Sequence, residues 1–151
     1  MTGVQLMCIS SGIRGYSINR PATATIEMAL LLPFLMILVL GCVDFGRFAY
    51  TYIAVTNSAR AAAGFASVNP YTTATYLNWQ FQTRQAAIAE LSALDGFDPS
   101  QISTEITGIS ESTGLWRAEV TVTYPFSTIV NWPGIPASFT LRRQVIMRGT
   151  R

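Results

Sequence analysis

The longest apolar segment of the chain lies near its N-terminus. Met28–Val43 contains no charged side chain and is bounded by Glu27 and Asp44. At a rise of 1.5 Å per residue this run is about 24 Å long, and the uncharged residues 23–26 bring it close to the roughly 30 Å of bilayer hydrocarbon. The pattern predicts one transmembrane helix whose membrane-spanning part covers about residues 26–45.

The helical pattern continues beyond the apolar run. From Phe45 to Ala66 alanine is frequent and proline is absent. Apolar residues recur there at spacings of three and four, which indicates one apolar face on a continuing helix. We therefore predict an N-terminal helix over residues 23–66. Asp44 and Arg47 are three residues apart, so they can form an ion pair where the helix leaves the membrane. The predicted apolar face consists of Phe45, Phe48, Tyr52, Val55 and Ala59.

The second half of the chain predicts a small domain of mixed type. Residues 73–94 show apolar positions at helical spacing (Leu77, Phe81, Ile88, Leu91 and Leu94), and the period then changes to two. Alternating segments begin near Ile102, Trp116 and Phe139. A helix packed on a small three-stranded antiparallel sheet satisfies both patterns. The predicted fold class is α+β, with a pilin-like plan of one long N-terminal helix and a head over residues 73–151.

Composition supports a membrane protein and gives little support to an enzyme. Charged residues make up 12% of the chain, against about 25% in an ordinary soluble domain. The ten basic residues are all arginines and form no block, so a nucleic-acid surface has little support. Histidine, the commonest general base and metal ligand, is absent. We expect no catalytic activity, no cofactor and no metal site.

The segment before the apolar run predicts the topology. Residues 1–22 contain Arg14 and Arg20 but no acidic residue. Positive charge on one flank of a membrane helix favours the cytoplasmic side. We expect residues 1–22 to be a leader or cytoplasmic segment and the head to lie outside the cytoplasm.

The segment "ATATIEMALLLPFLMILVLGCVDFGRFAYTYIAVTNSARAAA", residues 22–63, resembles the N-terminal signature of a known family. Its markers are Glu27 before the apolar run, Leu32-Pro33 within it, the Asp44–Arg47 motif after it, and the Thr56–Arg60 motif further along. In this order and spacing they resemble TadE-like proteins, the pseudopilins of the tight-adherence (Flp, type IVc) pilus system.

The resemblance implies a minor pseudopilin that is inserted in the inner membrane and takes part in pilus assembly. It implies cleavage by a prepilin peptidase between Ala22 and Thr23, which leaves Glu27 as the fifth residue of the mature chain. The implied partners are that peptidase, other pilin-like subunits and an inner-membrane assembly platform. Two positions depart from the family pattern, because Ala22 replaces a favoured glycine and Met28 replaces a usual aromatic residue.

Glu27 is the candidate subunit-docking residue. After cleavage Thr23 would carry a free amine, one helical turn from the Glu27 carboxylate or within reach of that carboxylate on an adjacent subunit. Between helices in lipid such a pair can fix the register of packing. The alternative is that Glu27 reaches water at the membrane surface and has no partner. Pro33 removes one helical hydrogen bond and is the predicted position of a helix kink.

Two questions remain open from the sequence. The chain could instead be a secreted or single-pass membrane-anchored extracytoplasmic binding domain unrelated to pili, and the position of the mature N-terminus separates these hypotheses. The segment "VNWPGIP", residues 130–136, could be a partner-binding tip or could fold back over the edge of the sheet.

Overall fold

The described part of the chain contains two helices followed by three strands. The structure, a computed structural model, describes residues 20–111 and 115–150, without the side chains of residues 20–22 and 150. Most of the predicted leader, residues 1–19, lies outside the described residues. The predicted α+β class is confirmed. The elements are α1 (Arg20–Val68), α2 (Tyr76–Leu91), β1 (Ser103–Ser110), β2 (Leu115–Ser127) and β3 (Ser138–Thr150).

Helix α1 serves two different compact units of the chain. The boundary between the units falls after Leu38, within the apolar run. The side chains of residues 23–38 are exposed along the whole first part of the helix. In the described part of the chain, α1 is the one helix that is long and apolar enough to cross a membrane. The second part of α1 belongs to the head, where Val55 and a series of alanines are buried, namely Ala59, Ala62, Ala63 and Ala66.

Helix α2 buries a different face from the one that the apolar pattern predicts. Leu77 and Phe81 are exposed, and the buried residues are Trp79, Thr83, Ala87 and Leu91. The predicted apolar face was therefore wrong for the first half of the helix.

The reason is the close approach of α2 to α1. The Ser58 hydroxyl donates to the Ala87 carbonyl over 2.9 Å, and the Trp79 indole donates to the Ala66 carbonyl over 3.3 Å. Small residues allow the two helix backbones to approach this closely. The prediction used only large apolar residues, so it did not identify threonine or alanine as buried positions.

The three strands form an antiparallel sheet in the order β1-β2-β3. The alternation predicted for β2 is confirmed, because Trp116, Ala118, Val120, Val122 and Tyr124 are all buried on one face. Both helices pack on this face. The rings of Trp116 and Trp79 are 5.8 Å apart, and so are the rings of Phe126 and Phe48.

Gly149 permits the close approach of β3 to the end of α1. A Cβ atom at this position would collide with the Ser67 carbonyl oxygen and with the Trp116 indole. We expect Gly149→Ala to lower the free energy of unfolding by about 1–3 kcal/mol, because the backbone oxygen cannot move away easily.

The measurement is denaturant unfolding of the full chain in detergent micelles, followed by tryptophan fluorescence. Gly64→Ala is the matched control, because a Cβ atom at this helical position meets nothing within 4 Å. Alanine is also the better helix former, so the control should be neutral or slightly stabilising. Equal stability of the two variants would contradict the packing described for Gly149.

Candidate functional site

The candidate processing and docking residues lie in the first part of α1. Ala22 and Thr23 are in its first turn, and Glu27 follows one turn later with an exposed side chain. Pro33 lies inside α1, which continues on both sides of it. The roles of these residues in cleavage, docking and kinking stay predictions.

Asp44, at the end of the apolar run, holds a distant part of the chain. Only 6% of the residue is exposed. Its carboxylate accepts the backbone N–H of Ile129 at 2.9 Å, the backbone N–H of Val130 at 3.2 Å and the Trp132 indole N–H at 3.0 Å. A shielded carboxylate needs such donors, since hydrogen bonds to a charged acceptor replace its lost hydration.

Arg47 is a secondary partner of Asp44. Its guanidinium is 3.5 Å from the Asp44 carboxylate, donates to the Ser127 carbonyl over 3.4 Å and lies 5.6 Å from the centre of the Phe126 ring. The Arg47 side chain is 47% exposed, and ion pairs of this exposure contribute little to stability. The predicted membrane-exit pair is thus within ion-pair distance, but the N–H donors are the closer partners of Asp44.

The segment that Asp44 holds is the β2–β3 connection, Thr128–Ala137. The middle of this segment contacts α1. The Trp132 ring lies within van der Waals distance of the position that a Cβ atom on Gly41 would occupy. Within the connection, the Thr128 N–H donates to the Ala137 carbonyl and the Ile135 N–H donates to the Trp132 carbonyl. Neither alternative stated for residues 130–136, a partner-binding tip or a fold over the sheet edge, included this contact with α1.

An apolar cavity of about 290 Å³ lies between the connection and α1. Aromatic rings provide most of its wall, and Phe48 is 5.8 Å from both Phe126 and Phe139. This arrangement can hold apolar groups. The aromatic residues that line the cavity are Phe45, Phe48, Phe126, Trp132 and Phe139.

Sequence reasoning missed that Asp44 and Trp132 form one site. Two signals were available in the sequence. One is a lone acid directly after the apolar run, and the other is a tryptophan within a stretch, Val120–Leu141, that has no charged residue. Neither signal identifies the other as its partner, because 88 positions separate the two residues.

Asp98, in the head, stabilises a local turn through its side chain. The Asp98 carboxylate accepts the backbone N–H and the hydroxyl of Ser100 and the side-chain amide of Gln101. These bonds, that of the Ser100 N–H above all, lower the pKa of Asp98 because they favour the charged form. Among the described residues, no group of three His, Cys, Asp or Glu side chains could hold a metal ion.

These features define a class of protein with an apolar N-terminal helix suited to single-pass membrane anchoring and a small α+β head. Residues 22–64 match the family model for TadE-like proteins. The resemblance predicted from the sequence is therefore confirmed over this segment. The match implies a role in the assembly of a tight-adherence (Flp) pilus, with pilin-like proteins as partners. No curated protein and no solved structure matches the chain.

Proposed function

We propose that the protein is a minor pseudopilin of a tight-adherence pilus. In this proposal it is inserted in the inner membrane with its N-terminus in the cytoplasm and its head on the other side. A prepilin peptidase removes residues 1–22, and the mature protein has no enzymatic activity of its own. The observation that carries the proposal is the TadE-like match over residues 22–64, which includes both the cleavage position and Glu27.

The exposed first part of α1 supports a role in assembly. Large apolar side chains of this part, Ile26, Leu30 and Phe34 among them, are covered by no other part of the described chain. Such a surface needs either lipid or the helices of other subunits around it. Helices associate in lipid through close van der Waals packing. The same apolar surface can therefore contact lipid in the membrane and later contact the helices of pilin-like subunits.

Glu27 supports the docking step of the proposal. An ionised carboxylate within or at the edge of hydrocarbon costs free energy, so an acid at this position calls for a compensating interaction. Cleavage before Thr23 creates an amine that can supply it, either in the same helix or in a neighbouring subunit. An inner-membrane platform and other pilin-like subunits would then receive the processed chain.

The proposal is tested by the intact mass of the full-length protein extracted from membranes. In cells with an active prepilin peptidase we expect the mature chain to begin at Thr23, and in cells without the peptidase we expect an uncut chain. Ala22→Arg should remain uncut in both cells because a large charged residue replaces the small one at the cut.

Two outcomes would contradict the proposal. An uncut wild-type chain in the presence of the peptidase would favour a simple anchored domain. A mature chain beginning after Val43 would favour a secreted domain unrelated to pili.

A further inference from the structure

The β2–β3 connection is an exposed segment with an apolar surface. Ile129 and Ile135 have side chains that are mostly exposed. Phe45 on α1, which lines the same cavity as Ile135, is also exposed. The nearest charged residues in sequence are Glu119 before the connection and Arg142 after it. An exposed apolar surface next to an apolar cavity marks a contact site, since water is a poor neighbour for it.

The connection lies at the end of the predicted membrane span. Its Trp132 ring contacts the position of Gly41, which belongs to the uncharged run Met28–Val43. Gly41 precedes the end of that run by two residues, or about 3 Å of helix. When the run occupies the hydrocarbon, Trp132 lies at the boundary between hydrocarbon and headgroups. Tryptophan is enriched at this boundary because its ring is apolar and its N–H is polar.

Four backbone N–H groups of the connection and its indole N–H are paired within the protein. The N–H groups of Ile129 and Val130 and the Trp132 indole N–H all donate to Asp44. The N–H groups of Thr128 and Ile135 donate to carbonyls of the connection itself. Backbone groups near hydrocarbon need protein partners, because water is scarce there. The Asp44 carboxylate is the acceptor for three of these donors.

We propose that the β2–β3 connection is a second membrane contact, which seats the head in the interfacial region of the bilayer. Ile129, Ile135 and Phe45 meet the lipid, and Asp44 holds the connection in the conformation that presents them. The contact of the Trp132 ring with the position of Gly41, a residue of the uncharged run, selects lipid as the occupant. The proposal depends on membrane anchoring through α1 and is independent of any role in a pilus.

The test measures contact between lipid and a fluorescent label at Ile135. The full chain, with Cys8 and Cys42 replaced by serine, carries Ile135→Cys labelled with an environment-sensitive fluorophore. It is reconstituted in vesicles of phosphatidylethanolamine and phosphatidylglycerol that contain nitroxide lipids. Ile146→Cys is the matched control, because Ile146 is 51% exposed and Ile135 is 55% exposed. Ile146 lies eight residues along β3 from Ser138, about 27 Å of strand.

We expect nitroxide lipids to quench the label at Ile135 at least about twofold more than the label at Ile146, and most strongly when the nitroxide is near the headgroup. Equal quenching at the two positions would overturn the proposal. A label at Ile135 that is shielded from aqueous iodide, yet not quenched by nitroxide lipids, would also overturn it. That result would mean that a protein surface, such as a second copy, covers the connection.

Discussion

Asp44→Asn is expected to release the β2–β3 connection from α1 while the sheet stays folded. An asparagine keeps one oxygen that can accept the Ile129 N–H, but its NH₂ group would face the donors of Val130 and Trp132. The charge that strengthens all three bonds is also lost. The expected result is hydrogen exchange at the amides of Ile129 and Val130 that is at least about tenfold faster than in the wild type.

Hydrogen exchange with mass spectrometry on the full chain in a membrane mimetic measures this effect locally. The amides of Val120 and Val122 in the middle of β2 should keep their protection, because they belong to the sheet ladder. Asp95→Asn is the control, since Asp95 is an exposed acid in the turn after α2. Unchanged exchange at Ile129 and Val130 in the Asp44 variant would show that the connection holds its position without this carboxylate.

Glu27→Gln is expected to abolish most pilus assembly without affecting membrane insertion or the fold of the head. Glutamine has nearly the shape of glutamate but cannot pair with the amine of a processed Thr23, and it inserts into lipid more easily than a charged residue. Loss of the pair between the Glu27 carboxylate and the Thr23 amine should reduce recruitment of the subunit into the assembly by about tenfold or more. The measurement is the number of surface pili in cells that depend on the variant, with its level in the membrane fraction determined in parallel.

Two further variants serve as controls for the Glu27→Gln experiment. Glu90→Gln changes an exposed acid of α2 in the same way and should leave assembly normal. Glu27→Asp keeps the charge on a shorter side chain and should restore part of the activity. Normal pili with Glu27→Gln would refute the docking role and leave the interpretation in which Glu27 simply reaches water.

The elements that the sequence predicted well are those whose signal is local. The alternation from Trp116 to Tyr124 identifies one face of β2, since successive side chains of a strand point to opposite sides. The uncharged run from Met28 to Val43 has a length that follows from the helical rise alone. Such patterns need no knowledge of what packs against them.

The faces of the helices were harder to predict, because burial depends on the neighbour. Phe45 belongs to the predicted apolar face of α1 and is exposed, whereas the small Ala62 and Ala63 are fully buried. In α2 the large Leu77 points outward and Thr83 points inward. Close helix packing favours small residues in the contact, and size alone therefore gives the wrong face when two helices approach closely.

The sequence by itself determined the α+β class, the apolar run with its two bounding acids and the TadE-like signature of residues 22–64. Each of these depends on residues that are near one another in the chain. Only the tertiary structure decided that Asp44 binds the β2–β3 connection and that Trp132 rests on Gly41. The physical reason is that such contacts depend on the path of more than 80 intervening residues, and a local pattern contains no information about where that path returns.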